Sequence, residues 1–259
     1  MDKECEQMMK RFAELNPPKN GTADIKTAIE KAYADMSRHA GGHRPEVKPE
    51  SLKLFNKIFE EMPSVKNKKN FDEWHEDSCE KLRIAKLPNG FIMRCGRAQK
   101  VINMTFKYLC SWNYNQNDFK EWFQYCHMPL DDFTLEWFRR SVTDVIKIGD
   151  NPVIKIDDKY KWSKIDNYKE YYQIQEHIRN HQKDKSPLEQ EFIEWPKISM
   201  ERAAKAFFLE LEKIKGLPLA EENSELVKRL IENGYEETVV NVLRENGYII
   251  TNPGKTEEA

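Results

Sequence analysis

Residues 96–112 read GRAQKVINMTFKYLCSW, and the periodicity of this stretch decides the fold class. Val101, Met104, Thr105, Tyr108, Leu109 and Trp112 recur at i, i+3, i+4, i+7, i+8 and i+11. That is the spacing of one helix face, so a helix is expected over 98–112. Lys100, Asn103 and Lys107 share the opposite, polar-edged face. Gly96 and the stretch Leu87-Pro88-Asn89-Gly90 break the chain ahead of it, with a short apolar insert over 91–95 between the two breaks.

Outward from this helix the same period recurs. An amphipathic helix over 1–15 stops at Asn16-Pro17-Pro18. A second is expected over 23–38, capped by Thr22, with Ala28, Ile29, Ala32, Tyr33 and Met36 as its apolar stripe. Further helices are expected over 49–62 and 71–85, with Trp74 and Leu82 facing inward. Another covers 118–125, and one capped by Asp131 or Asp132 runs through Phe138. Val153-Ile154-Lys155-Ile156 is a short strand candidate. Helices over 167–181 and from Pro187 to a stop at Pro196 follow, and the tail from Met200 is helical again. In that tail Glu232-Asn233-Gly234-Tyr235 and Glu245-Asn246-Gly247-Tyr248 repeat one helix-ending motif. The expectation is an all-α protein: a two-lobed helical domain over 1–199 with a central segment at 71–195, a helical extension over 200–250, and a flexible tail over 251–259.

Composition agrees with a packed domain. The chain has 259 residues, of which 11% are aromatic and 33% charged, with a formal net charge of −2. A chain of this length buries roughly 70–75% of its extended surface, and its aromatics supply area that disordered chains lack. The slight negative charge disfavours a non-specific nucleic-acid coat but leaves room for a local basic cleft. The 5 cysteines, an odd number, and the lack of a secretory apolar segment suggest reduced thiols. Cys95, Cys110, Cys126 and His127 match no standard metal spacing, so no metal is expected. With no run of 18 apolar residues there is no membrane partner, and the expected place is the cytoplasm, at the nucleoid if the source is prokaryotic.

Two residues carry candidate chemistry. Lys100 opens a helix, where the dipole disfavours a cation, and an amine held there suits Schiff-base formation at a sugar or ketone carbon. The alternative is a surface lysine with its stem along the helix. Asp131 sits in a Pro-containing turn at a helix start, where a carboxylate stabilises developing positive charge or simply caps the helix.

GRAQKVINMTFKYL, followed by HMPLDDFTLEW at 127–137 and SPLEQEFIEW at 186–195, resembles the archaeal type of 8-oxoguanine DNA glycosylase, within the helix-hairpin-helix glycosylase superfamily. The likeness spans 71–195. It implies a catalytic lysine matching Lys100 and a catalytic aspartate matching Asp131. It also implies duplex DNA as partner, with the target base flipped out, no cofactor, and a monomer. DNA contacts fall to Gly90, Gly96, Arg97 and Lys107, with backbone N–H groups at the glycines holding a phosphate. Arg94 and residues 66–69 add positive charge near Lys100, and Trp112, Phe123 or Trp137 offer a ring to stack on a base. The expected function is a DNA base-excision glycosylase with AP-lyase activity on an oxidised or otherwise modified base. The alternatives are a non-enzymatic helical protein- or nucleic-acid-binding module, or a metal-dependent nuclease built around Asp157-Asp158 and Lys161.

Overall fold

The computed structural model describes residues 3–39, 45–62, 67–113, 122–147 and 153–213. Outside them lie Gly41-Gly42-His43-Arg44, Lys66, residues 114–121 with the start of the helix expected at 118, and the two Glu-Asn-Gly-Tyr segments. The described chain is all-α. Helices α1 (Lys3–Leu15), α2 (Ile25–His39), α3 (Lys48–Glu60), α4 (Lys68–Ile84) and α5 (Cys95–Trp112) precede α6 (Asp132–Trp137). Helix α6 passes into a π-helical turn at Phe138–Val142. After it come β1 (Val145–Ile146), β2 (Ile154–Lys155), α7 (Tyr168–His181) and α8 (Pro187–Lys213). The strands form one antiparallel pair, Val145 opposite Lys155 and Ile146 opposite Ile154. No helix among the described residues is long and apolar enough to cross a membrane.

Local chemistry sets the helix starts. Asp24, not Thr22, caps α2: its carboxylate accepts the Thr27 N–H at 2.7 Å, and its carbonyl accepts the Ala28 N–H. The aspartate lies one residue before the helix, where its short side chain reaches the third free amide; Thr22 lies a turn too early. Asn67 caps α4 by accepting the Asn70 N–H at 3.0 Å. Pro196 does not end its helix, which continues to Lys213. An interior proline forfeits one bond to the carbonyl four residues back and costs about 3 kcal/mol, and the flanking turns keep their own bonds. The chain divides into two units, Met1–Trp195 and Pro196–Ala259.

Within the first unit α5 is the central helix. Its side chains are buried from Cys95 to Ser111 except at Arg97, so the face carrying Lys100, Asn103 and Lys107 is as enclosed as the apolar one. It packs on α1, α2, α4, α7 and the 3-10 turn at Trp162–Lys164. Phe106 on α5 meets Phe59 and Phe71 with ring centroids 5.4 Å apart, and Trp74 at 5.8 Å.

Gly96 explains how α5 and the 162–165 turn come so close. Its N–H donates to the Ile165 carbonyl at 2.8 Å. A Cβ at this position would lie 1.8 Å from the Trp162 carbonyl oxygen, a backbone atom that cannot swing away. At Gly90 the space is open, but φ is +66°, which a side chain adopts only at a cost. Gly96→Ala is therefore expected to destabilise the fold by at least the ~1–3 kcal/mol of a typical overpacked site. Gly90→Ala should cost only ~1 kcal/mol of backbone strain. Urea unfolding of both variants checks the order, and equal losses would contradict the close approach at Gly96.

Candidate functional site

The extended segment before α6 delivers Asp131 to α5. Lys100 Nζ donates to Asp131 Oδ2 at 2.8 Å, and the two side chains are only 4% and 11% exposed. The other carboxylate oxygen, Oδ1, accepts the N–H groups of Phe133 and Thr134, both at 2.9 Å. The Thr134 hydroxyl accepts the Asp131 N–H at 2.7 Å, closing a capping box. The Trp195 indole N–H donates to Oδ2 at 3.0 Å. Burial pushes the Asp131 carboxyl up, but the Lys100 ammonium, the Thr134 amide and the Trp195 indole outweigh it and hold it below the usual carboxylate range. Asp131 is thus an ionised group with both oxygens hydrogen-bonded. Helix α5 begins at Cys95, so Lys100 lies in its second turn, where the helix dipole has faded. Asp131 is the charge that governs the ammonium.

Two turns further along α5 a second pair repeats the arrangement. Lys107 Nζ lies 2.7 Å from Glu191, with side-chain exposures of 3% and 1%. Burial pushes Lys107 down and Glu191 up, against the attraction between them. The Lys107 ammonium also faces the rings of Phe12 at 4.3 Å, Phe192 at 5.2 Å and Trp195 at 5.3 Å. Trp195 therefore joins the two pairs, donating to Asp131 through its edge and meeting Lys107 with its face. Phe133 lies against Trp195 at a tilt of 49°, with ring centroids 5.0 Å apart. Phe12, Phe133 and Trp195 are each half-buried, so the charged groups lie one ring layer beneath the surface.

A polar network supports the segment that carries Asp131. His127 Nε2 is 2.8 Å from Asp72, and its Nδ1 is 2.7 Å from the Tyr171 hydroxyl. Tyr171 accepts from Asn103 at 2.8 Å, and Asn103 Oδ1 meets His75 Nε2 at 3.0 Å. Burial and the Arg179 charge push His127 down to about 4, against the pull of Asp72, and burial pushes His75 well below its ordinary value. Both rings are therefore neutral at pH 7, and the His127–Asp72 contact is a hydrogen bond rather than an ion pair. Each ring carries its proton on Nε2, which makes every donor in the chain meet an acceptor. Burial raises the Asp72 carboxyl, but the His127 N–H and a two-pronged Arg179 guanidinium, at 2.8 and 3.3 Å, bring it well below the usual range.

The structure brings Lys100 and Asp131 into direct contact and gives the other sequence-derived candidates other surroundings. Gly90 is exposed in the 3-10 turn at Pro88–Gly90. Arg97 is half-buried, its guanidinium 5.1 Å from the Phe91 ring centroid. The Gly96 amide is committed to Ile165, which corrects its expected role as a phosphate donor: its bond is already made, and its lack of a side chain serves packing. Lys107 is enclosed against Glu191 rather than presented to phosphates. Phe123 and Trp137 are core residues, and Trp112 spends its indole N–H on the Asn16 carbonyl. Asp157 shapes its own turn by accepting the N–H groups of Lys159 and Tyr160. Glu191 and Trp195 are the partners that periodicity missed; the only sequence signal for them was the SPLEQEFIEW stretch. No family model matches the chain, and neither the curated proteins nor the solved structures include a match.

The buried histidines give stability a pH dependence of defined sign. The unfolded chain takes up their protons near the ordinary histidine value of about 6.5, and the folded chain refuses them. Their contribution is complete above that value and falls as pH drops towards 4, the folded value of His127. Each refused proton costs about 1.4 kcal/mol per pH unit in that window. The raised Glu191 opposes part of this. Denaturant unfolding at pH 7.5 and 5.5 should show a loss of roughly 1–3 kcal/mol, whereas unchanged stability would mean the rings are protonated or exposed.

Proposed function

We propose that this protein is a DNA base-excision glycosylase with an AP-lyase step, built on a helical domain of the helix-hairpin-helix glycosylase kind and acting on an oxidised or otherwise modified base. The observation that carries this reading is the 2.8 Å contact between Lys100 Nζ and Asp131 Oδ2, the two residues that the resemblance singles out. A buried amine beside an ionised carboxylate, under a rim of half-buried rings, suits attack on an electrophilic sugar carbon.

In this account the damaged nucleotide leaves the stack and its base enters beneath Phe12, Phe133 and Trp195. The Lys107–Glu191 pair and the flanking rings then meet the base by its edge and faces. Asp131 stabilises positive charge on the deoxyribose as the C1′–N bond stretches. As the C1′–N bond breaks, the base departs with the bonding pair and takes up one proton from the Lys100 ammonium, whose freed lone pair bonds to C1′. A second Nζ proton passes to O4′ as the C1′–O4′ bond opens with its pair on oxygen, which leaves an iminium between Nζ and C1′. A C2′ proton then passes to the released base or to water, its bonding pair flows into that electron sink, and the 3′ phosphate is expelled with the C3′–O pair. Asp131 is too well stabilised as an anion to be a strong base, so its role is electrostatic. The exposed turn at Gly90, with Arg94 and Arg97 beside it, faces the DNA backbone.

The burial of both ion pairs favours a second reading, in which they only hold a binding module together. The two readings separate in one set of assays on oligonucleotides carrying modified bases. Lys100→Gln should abolish strand cleavage while changing DNA affinity less than about 3-fold, because one contact is a small share of the phosphate total. Asp131→Asn should slow base release by about 10²–10³-fold. Melting of each variant tracks the stability cost, which can reach about 3–5 kcal/mol when a buried pair loses one partner. Wild-type affinity should also fall steeply with salt. Cleavage by Lys100→Gln at the wild-type rate contradicts the assignment, and a wild type that binds DNA but releases no base leaves the binding-module reading.

A further inference from the structure

Asp131 reaches Lys100 at the end of a segment without regular secondary structure, and among the described residues no strand pairs with it. The backbone of that segment still needs partners, because Met128 and Leu130 are fully buried. Two side-chain amides supply them. Gln175 on α7 accepts the Met128 N–H at 3.0 Å and donates to the Met128 carbonyl at 2.9 Å. Gln99 on α5 accepts the Leu130 N–H at 3.2 Å and donates to the Leu130 carbonyl at 3.1 Å. Pro129, between them, has no N–H to satisfy. The two glutamines thus pair with the segment as a neighbouring strand would.

Gln99 has no capacity left over. Its second N–H goes to the Gly96 carbonyl at 2.9 Å, and its second lone pair accepts from Asn103 at 3.0 Å. Two donors and two acceptor sites are all that a side-chain amide possesses, and both glutamines are 0% exposed. Gln99 precedes Lys100 in the chain, and Leu130 precedes Asp131. The amide pairing Gln99–Leu130 and the ion pair Lys100–Asp131 are therefore one contact displaced by a single residue on each segment.

We infer that Gln99, with Gln175 behind it, is a positioning residue for Asp131: it fixes the carboxylate against Lys100 through the backbone of Leu130. This rests on the glycosylase reading for its catalytic consequence, though not for its geometry. A misplacement of about 1 Å can cost on the order of 10²-fold in rate. An apolar side chain of similar length keeps the packing but forms none of the four bonds.

The test uses Gln99→Met and Gln175→Met in the full-length chain, the second standing in if the first does not fold. Two quantities are read: single-turnover base release at saturating enzyme, and the titration of the Asp131 carboxyl followed by ¹³C NMR in the free protein. In each folded variant base release should slow by about 10–100-fold with DNA affinity within about 3-fold, and Asp131 should titrate closer to an ordinary carboxyl. A purely structural role lowers the melting temperature without moving the Asp131 titration, and an unmoved titration in the folded variants overturns the inference. If the wild type releases no base, the glycosylase reading fails while the carboxyl titration still decides the positioning role.

Discussion

Helix α5 carries two ammonium groups into the interior, and each must find a carboxylate there. A buried charge left alone is far too costly, and even a paired one regains its desolvation cost only with good geometry. This constraint organises the first unit of the chain. Lys100 draws in the segment before α6 through Asp131, and Lys107 draws in the first turns of α8 through Glu191. Trp195 ties the two together. A helix of the same shape with apolar residues at 100 and 107 would need neither arrangement.

The remaining packing serves that arrangement. Gly96 lets the start of α5 approach the 162–165 turn to a separation that excludes a Cβ. The amides of Gln99 and Gln175 hold the segment before Asp131 in place of a strand. The histidine and tyrosine chain from Asp72 to His75 then locks α4, α5 and α7 around it with every donor matched. Fully satisfied buried networks of this kind specify one arrangement over its competitors, because any shift leaves a polar group without a partner. Among the described residues, the half-buried rings of Phe12, Phe133 and Trp195 lie over the two ion pairs.

Much of this was legible in the sequence. The i, i+3, i+4 recurrence located α5 and the other helices, and alternation at Val153-Ile154 marked the edge of the small strand pair. Lys100 and Asp131 stood out through residue type at a helix start and through resemblance. Their contact spans 31 residues, and that of Lys107 with Glu191 spans 84. Periodicity reports which face of a helix is apolar; it is silent about whether a polar face is also covered, and α5 is covered on both. Gly96 looked like a site for an anion because glycine serves both close ligands and close backbones, and only the position of Trp162 decides between them. Pro196 misled because a proline stops a helix only where the neighbouring turns offer no other support.

The central claim is that Lys100, paired with Asp131, is the amine that bonds to the deoxyribose. The most direct measurement is borohydride reduction during turnover on DNA carrying a modified base, followed by protease digestion and mass spectrometric mapping of the sugar remnant. The account predicts the remnant on Lys100, absent from an Asp131→Asn sample quenched at the same early time. A remnant on another lysine or on the terminal amine, with Lys100 unmodified, would contradict it.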